Sequence, residues 1–236
     1  KVEDEASGVI QKTIKPINPK IFSLEVKNFT FSYSDESNPV FSNLNLLINQ
    51  NESLLIKGPS GSGKSSFLMS VIGVLNGHLG TIKWGGTDIK NINGESFRSK
   101  IGYLGPEPYL IKGTIRENLI FGLDKNPSIK DIKNALRISK SDLFINNETT
   151  LNSELNEFGE GLSMGQKQRI GLARALLRNP KILIFDEITA NLDKQTELEI
   201  VSNLMQIKSS FTILIASHSN AFDKFADKII NLNKTS

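Results

Sequence analysis

The stretch GPSGSGKSS, residues 58 to 66, carries the spacing Gly58-x-x-x-x-Gly63-Lys64-Ser65. Glycines at such intervals let successive backbone N–H groups turn inward around an anion, because no Cβ stands between chain and ligand. Gly58, Pro59, Ser60, Gly61, Ser62, Gly63, Lys64, Ser65 and Ser66 are therefore a candidate phosphate cradle. The Lys64 ammonium can reach terminal phosphates, and the Ser65 hydroxyl suits Mg2+. The plain alternative is a Gly/Ser-rich turn with one surface lysine. The flanks favour the cradle: the apolar run SLLIKG precedes the loop and the helix-like KSSFLMSVIGVL follows it. A nucleotide site also needs a hard oxygen for its cation and a base for water. ILIFDE, residues 182 to 187, supplies both at the end of an apolar run. Asp186 suits Mg2+, usually through water, and Glu187 is placed to orient or deprotonate an attacking water.

A second candidate anion site lies in LSMGQKQR, residues 162 to 169. Ser163, Gly165 and Gln166 put a hydroxyl, a small residue and free backbone donors at the start of a helix. One nucleotide does not require two such ends, so the second is expected to serve the nucleotide of another copy. Three further residues are ambiguous alone. Tyr33 reads as a strand-end aromatic, Asp193 as a helix N-terminal carboxylate, and His218 as a histidine after the apolar strand FTILIA, where a structural role is common.

The elements that must position these groups follow from hydrophobic period. FSLEVKNFTFSY has Phe22, Leu24 and Val26 at every second residue, the pattern of a half-buried strand. FSNLNLLIN and SLLIKG read as strands around a polar turn at 50 to 52, residues 64 to 75 as a helix, and GTIKWGG and KIGYL as strands. The stretch from about Thr114 to Asn179 is mostly helical, with Ser128 capping IKDIKNALRI and Asn179-Pro180 ending the helix within 162 to 178. KILIF, FTILIA and KIINL are strands, with a helix over 194 to 207. Strands first, helices in the middle and alternation at the end predict an α/β core with a helical insertion.

Composition narrows the function. With 28 Lys and Arg against 25 Asp and Glu, the net charge of +3 gives no reason to expect nucleic acid. The lack of cysteine excludes disulfides and thiolate metal sites, and His78 and His218 are too few for a histidine-built centre. No run in the 236 residues reaches the roughly 18 apolar residues of a bilayer span. Residues 1–20 are polar, carry two prolines and read as a linker. Residues 21–236 read as one nucleotide-binding domain, with a helical subdomain at about 107–180.

Taken together, Tyr33 in FSY, GPSGSGKSS, LSMGQKQR, ILIFDE, ANLD at 190 to 193 and His218 in ASHS resemble the nucleotide-binding domain of an ABC ATPase. All six occur in the family's order, and the resemblance runs from about residue 21 to the end. It implies an α/β P-loop core with a mixed β-sheet, an N-terminal antiparallel β subdomain and an inserted α-helical subdomain. It implies ATP and Mg2+ as ligands and ATP hydrolysis as the activity. Tyr33 would stack on adenine, Ser163 and Gly165 would meet the γ-phosphate across a head-to-tail dimer, Asp193 would bridge the two sites, and His218 would contact the γ-phosphate. PYLIKGTIRENLIFG and NEFGEG are similar to the exporter branch, whose domains pair with a second nucleotide-binding domain and a transmembrane domain at the cytoplasmic face of a membrane; that resemblance implies that residues 1–20 are the linker from an upstream transmembrane domain. Two residues depart from the pattern: Pro106 stands where the family usually has glutamine, and Met164 where the signature more often has glycine. A soluble ABC protein of DNA repair or translation is a second reading, although the span from Lys64 to Ser163 leaves no room for a long coiled coil. A catalytically silent regulatory domain is a third, suggested by Pro106 and opposed by Lys64, Asp186, Glu187 and His218.

Overall fold

Period-two hydrophobicity in one part of the chain and unbroken apolar runs in another divide most of the strands between two large sheets, and two short strands in the helical insertion pair with each other. The computed structural model describes residues 19–34, 38–76 and 78–232, so the expected linker lies almost wholly outside the described residues. First come β1 (Leu24–Phe31), β2 (Phe41–Ile48), β3 (Ser53–Lys57) and α1 (Lys64–Val71). Next are β4 (His78–Trp84), β5 (Thr87–Asp88), α2 (Gly94–Arg98) and β6 (Ile101–Leu104). The middle holds β7 (Gly113–Thr114), α3 (Ile115–Ile120), α4 (Ile129–Ile138), α5 (Glu148–Leu151), β8 (Glu154–Leu155) and α6 (Met164–Leu177). The chain closes with β9 (Ile182–Asp186), α7 (Lys194–Ile207), β10 (Thr212–Ala216) and β11 (Lys228–Asn231).

The mixed sheet of the sequence reading takes the form of an antiparallel sheet, β2-β1-β4-β5, and a wholly parallel one, β11-β3-β10-β9-β6. In β1 the strand starts at Leu24, after Phe22. Its pairing shifts between Val26 and Phe29, beside Asn28 at φ 49°, so Phe29 and Phe31 continue the buried face that a strict alternation would have lost. Helix α1 stops at Val71 rather than near residue 75, and Gly73, at φ 71°, turns the chain away. The two-residue β5 and five-residue α2 are too short to show a period, and the sequence reading did not include them.

The parallel sheet is covered on both sides, and its alternation sorts residues by face. Leu54, Ile56, Ile182, Ile184, Leu214 and Ala216 pack toward α1 and the antiparallel sheet. Leu55, Leu183, Phe185, Ile213 and Ile215 pack against residues of α6 and α7 on the other face. Buried Trp84 on β4 donates its indole N–H to the Val71 carbonyl at 2.7 Å, which ties the antiparallel sheet to the end of α1. The helical insertion has its own core around Leu119, Ile132, Leu136 and Ile170. There the buried Asn118 side chain accepts from the Ile111 N–H and donates to the Ile111 carbonyl, both at 2.9 Å, pinning the loop that leads into α3.

Candidate functional site: a phosphate cradle at the carboxyl edge of the parallel sheet

All five parallel strands end at one edge of their sheet, where open α/β folds bind ligands. The loop after β3 opens α1 without a side-chain cap: its N-cap is Gly63, at φ 91° and ψ 13°. The first closing bond of the helix runs from Phe67 N–H to the Gly63 carbonyl, so the N–H groups of Lys64, Ser65 and Ser66 have no acceptor within the helix. An added Cβ on Gly63 would run into the Val40 side chain, and one on Gly58, at φ 152°, would strike the Leu232 carbonyl. Ser62 is 1% exposed and its hydroxyl has no hydrogen-bond partner. The cradle opens on a cleft of about 630 Å3 lined by Tyr33, Val40, Ser60, Gly61, Gly63, Lys64, Ser65, Ser66, Glu187, Ala190 and His218. Its size and its unsatisfied donors suit a nucleotide. Another hollow, about 450 Å3 among residues of α4, α6 and α7, has no glycine in its lining.

Strand order explains which groups meet. β10 lies between β3 and β9, so His218 after β10 stands beside both the cradle and the carboxylates. The Lys64 ammonium donates to the Gly58 carbonyl (2.9 Å), the Pro59 carbonyl (3.3 Å) and His218 Nε2 (2.9 Å). Because an ammonium only donates, the Nε2 nitrogen accepts and the imidazole proton sits on Nδ1. Glu187 Oε1 lies 3.3 Å from Lys64 Nζ and 3.3 Å from His218 Nε2. Glu187 adopts φ 54°, a left-handed conformation that costs a β-carbon-bearing residue about 1 kcal/mol, and its N–H donates to the Ala216 carbonyl at 2.9 Å. Asp186, one residue earlier, is 2% exposed and its Oδ1 has no hydrogen-bond partner. Burial pushes its pKa up and the Glu187 charge adds to the rise, while the Ser65 hydroxyl and the Lys64 ammonium oppose it. A buried carboxylate next to a hydroxyl and facing a phosphate cradle is a donor set that fits a hard divalent cation. Among the described residues no three His, Cys, Asp or Glu cluster to form a cage, so such a cation would share its shell with phosphate and water.

The family model for ABC transporters matches residues 41–190. This chain belongs to the ABC transporter family. It is 38% identical over 97% of its length to the ATP-dependent permease MDL1 of Candida albicans, of which it covers 33%. It is 36% identical over 89% of its length to the lactococcin-A transport/processing ATP-binding protein LcnC of Lactococcus lactis, of which it covers 29%. The structure of a bacterial Atm1-family ABC exporter with ATP bound superposes with a TM-score of 0.84 at 27% identity, covering 94% of this chain and 39% of that one. The chain is thus an ABC transporter ATP-binding domain, and it spans only 33% and 29% of the lengths of these two relatives. No helix among the described residues is long and apolar enough to cross a membrane.

Within one ABC domain the signature residues stand apart from the cleft. Ser163, Gly165, Gln166 and Asp193 do not line it. Nor are the signature donors all free, as the sequence reading had them. Ser163 Oγ accepts from the Gln166 N–H at 3.2 Å, and Gln166 Oε1 accepts from the Ser163 N–H at 2.8 Å, a closed capping box. A Cβ on Gly165 would lie 2.8 Å from the Asn191 carbonyl, so the first turn of α6 packs on the loop that ends at Asp193. Asp193 is exposed and caps α7, accepting from the Thr196 N–H at 2.9 Å, and bonding to Thr196 holds its carboxyl below the usual range. Tyr33 is 70% exposed and its hydroxyl shares a 2.6 Å hydrogen bond with Ser66 Oγ, at the cradle's edge.

Sequence reasoning passed over three site neighbours. Val40 packs behind Gly63. Gln168, 1% exposed, donates to the Pro106 carbonyl at 3.1 Å and ties α6 to the loop after β6. Tyr103 on β6 has its pKa pushed up to about 12 by burial and then by the Asp186 charge. Of these, only Tyr103 had a visible signal, its place two residues after Ile101 on the alternating face of KIGYL.

Proposed function

We propose that this chain hydrolyses ATP with Mg2+ and powers export across a membrane, closing head to tail on a second ABC domain in each cycle. The observation that carries the reading is the meeting of Lys64, at the start of α1, with Glu187 after β9 and His218 after β10, within 3.3 Å. Backbone strain of the kind seen at Glu187 clusters at functional sites. When ATP enters the cradle, its phosphates compete for the Lys64 ammonium, and Glu187 Oε1 is released from that ion pair to accept a proton from water. His218 then remains to contact the terminal phosphate. Ser65 and Asp186 would hold Mg2+, which supplies charge neutralisation at the phosphates. Tyr33, exposed at the cleft, stacks on the base. Ser163, Gly165 and Gln166 reach the phosphate of the partner copy, and Asp193 lies between the two sites.

Export rather than a soluble role is supported by the relatives, which carry about twice as much further chain as this domain. It is supported also by an exposed aromatic pair. Tyr109, 62% exposed, meets Phe158, 61% exposed, edge to face with ring centres 5.6 Å apart. That pair joins the segment before α3 to the turn before the signature, a face suited to a transmembrane partner at the cytoplasmic side. The test is Glu187→Gln, which keeps the cradle and removes the base. Light scattering should find a stable dimer with ATP and Mg2+, and a monomer without nucleotide. A variant that binds ATP in a separate titration yet stays monomeric at saturation rejects the head-to-tail site.

A further inference from the structure

Glu187 and His218 follow different strands, β9 and β10, so the two loops decide how they meet. We infer that Glu197 on α7 is a positioning residue of the reaction, anchoring both loops through the Thr189 and Ser219 hydroxyls and so holding Glu187 and His218 together. The inference rests on the hydrolysis reading above.

Glu197 stands in the first turn of α7 and is 6% exposed, an uncommon burial for a carboxylate. The helix does not need it as a cap, because Asp193 already accepts from the Thr196 N–H at 2.9 Å. Its side chain is turned to other partners. Oε2 accepts from the Lys194 ammonium at 2.8 Å, and the carboxylate also hydrogen-bonds the Ser219 and Thr189 side chains. Burial pushes its pKa up, but bonding to Lys194, then to Ser219 and Thr189, outweighs burial and leaves the carboxyl below its usual range. A carboxylate only accepts, so both hydroxyls donate to it. The Lys194 side chain is 67% exposed, so that arm is a surface pair of small worth, and the hydroxyls carry the anchoring.

Each hydroxyl belongs to a loop of the site. Ser219 directly follows His218. Its Oγ accepts from the Ala221 N–H at 3.1 Å, and its own N–H donates to Oγ of buried Ser217 at 3.0 Å. His218 is thereby bracketed by two held serines. Buried Thr189 lies two residues beyond Glu187, whose φ of 54° persists only where the surroundings over-determine it. The N–H of Glu187 is held by the Ala216 carbonyl, and the chain beyond it by Thr189 and Glu197. One buried carboxylate thus serves as a common anchor for the two loops.

The test pairs a spectrum with kinetics on the whole chain. Its only histidines are His78 and His218, so imidazole nitrogen NMR of a His78→Gln protein reads His218 alone. Without nucleotide it should show one fixed tautomer, protonated at Nδ1, because Nε2 accepts from Lys64. Glu197→Ala should average the tautomers and lower kcat about thirtyfold, with KM within about twofold. Glu197→Gln, whose amide can accept from one hydroxyl and donate to the other, should keep the spectrum and hold kcat within about threefold. Ser219→Ala, which leaves the carboxylate in place, should disturb the spectrum as Glu197→Ala does and decides the matter if that variant fails to fold. An unchanged His218 spectrum, a changed spectrum with kcat unaltered, or equal losses in the Gln and Ala variants would overturn the inference. A parent with no turnover above Glu187→Gln would instead overturn the hydrolysis reading, and the role of Glu197 in the reaction with it, whatever the spectrum shows.

Discussion

Helices α1 and α6 both begin with a small, polar, glycine-containing segment, yet their N-termini are built in opposite ways. At α1 the cap is a left-handed glycine with no side chain to offer, and three N–H groups lack helical acceptors. At α6 the cap is Ser163, and the Ser163–Gln166 box already occupies one backbone donor at each end. The first end is incomplete in the isolated chain and gains by meeting an anion there. The second is capped and stable alone, and keeps for a phosphate the N–H groups of Met164 and Gly165, which have no helical acceptor. On the proposed head-to-tail reading, the difference would let one domain bind ATP alone while its signature waits for a second copy. Substitutions at α1 should act on the single chain, and those at α6 on the pair.

The largest effect is expected at Lys64. It is only 6% exposed and holds the Gly58 and Pro59 carbonyls, His218 and Glu187 together, so it is less a surface lysine than the knot of the site. Lys64→Ala should weaken ATP binding by the isolated chain about a hundredfold, about 2.7 kcal/mol, and abolish turnover. Because it also leaves Glu187 without its cation, it should lower folding stability by about 1–2 kcal/mol with the circular dichroism spectrum unchanged. Fluorescence titration and urea melts measure the two effects separately. ATP affinity within threefold of the parent would show that α1 is not the open end.

Ser163→Ala addresses the closed end. Losing the cap should cost about 1 kcal/mol of stability. ATP affinity of the single chain should stay within about twofold, since Ser163 does not line the cleft. In the Glu187→Gln background, sedimentation should show the ATP-held dimer weakened about tenfold, about 1.4 kcal/mol. A loss of monomer affinity as large as the loss of dimer would erase the contrast between the two helices.

What could be read from the chain alone follows the same divide between local and non-local causes. β9 and β10 were legible because strands buried on both faces are unbroken apolar runs, and α7 because Asp193 marks its start. The cradle was legible because its geometry depends on glycines within one loop. The bulge at Asn28 was not, since a polar residue in a strand looks like ordinary alternation. That Lys64 meets His218 requires β10 to lie between β3 and β9, a strand order that no local pattern encodes. The capping box was visible as Ser163-x-x-Gln166, but it was read as free donors for a ligand; the same two side chains serve the helix first. Tyr103 was legible as a strand residue, but which face carries Asp186 depends on pairing with β9.

The smallest effect is expected at Met164, where the signature departs from glycine. Met164 is the first residue of α6 and half-buried, while the close backbone approach falls one residue later, where Gly165 meets the Asn191 carbonyl. A side chain at 164 therefore occupies space that the packing of α6 leaves available, whereas one at 165 would not. Met164→Gly should cost the helix less than about 1 kcal/mol, because the first helical position fixes fewer of its backbone bonds than the interior. It should change the strength of the ATP-held dimer by less than about threefold, about 0.7 kcal/mol, measured by sedimentation in the Glu187→Gln background. A tenfold gain on restoring glycine would mean that Met164 itself stands in the path of the partner's phosphate, and that the closed end of α6 is closed by this side chain as well as by its cap.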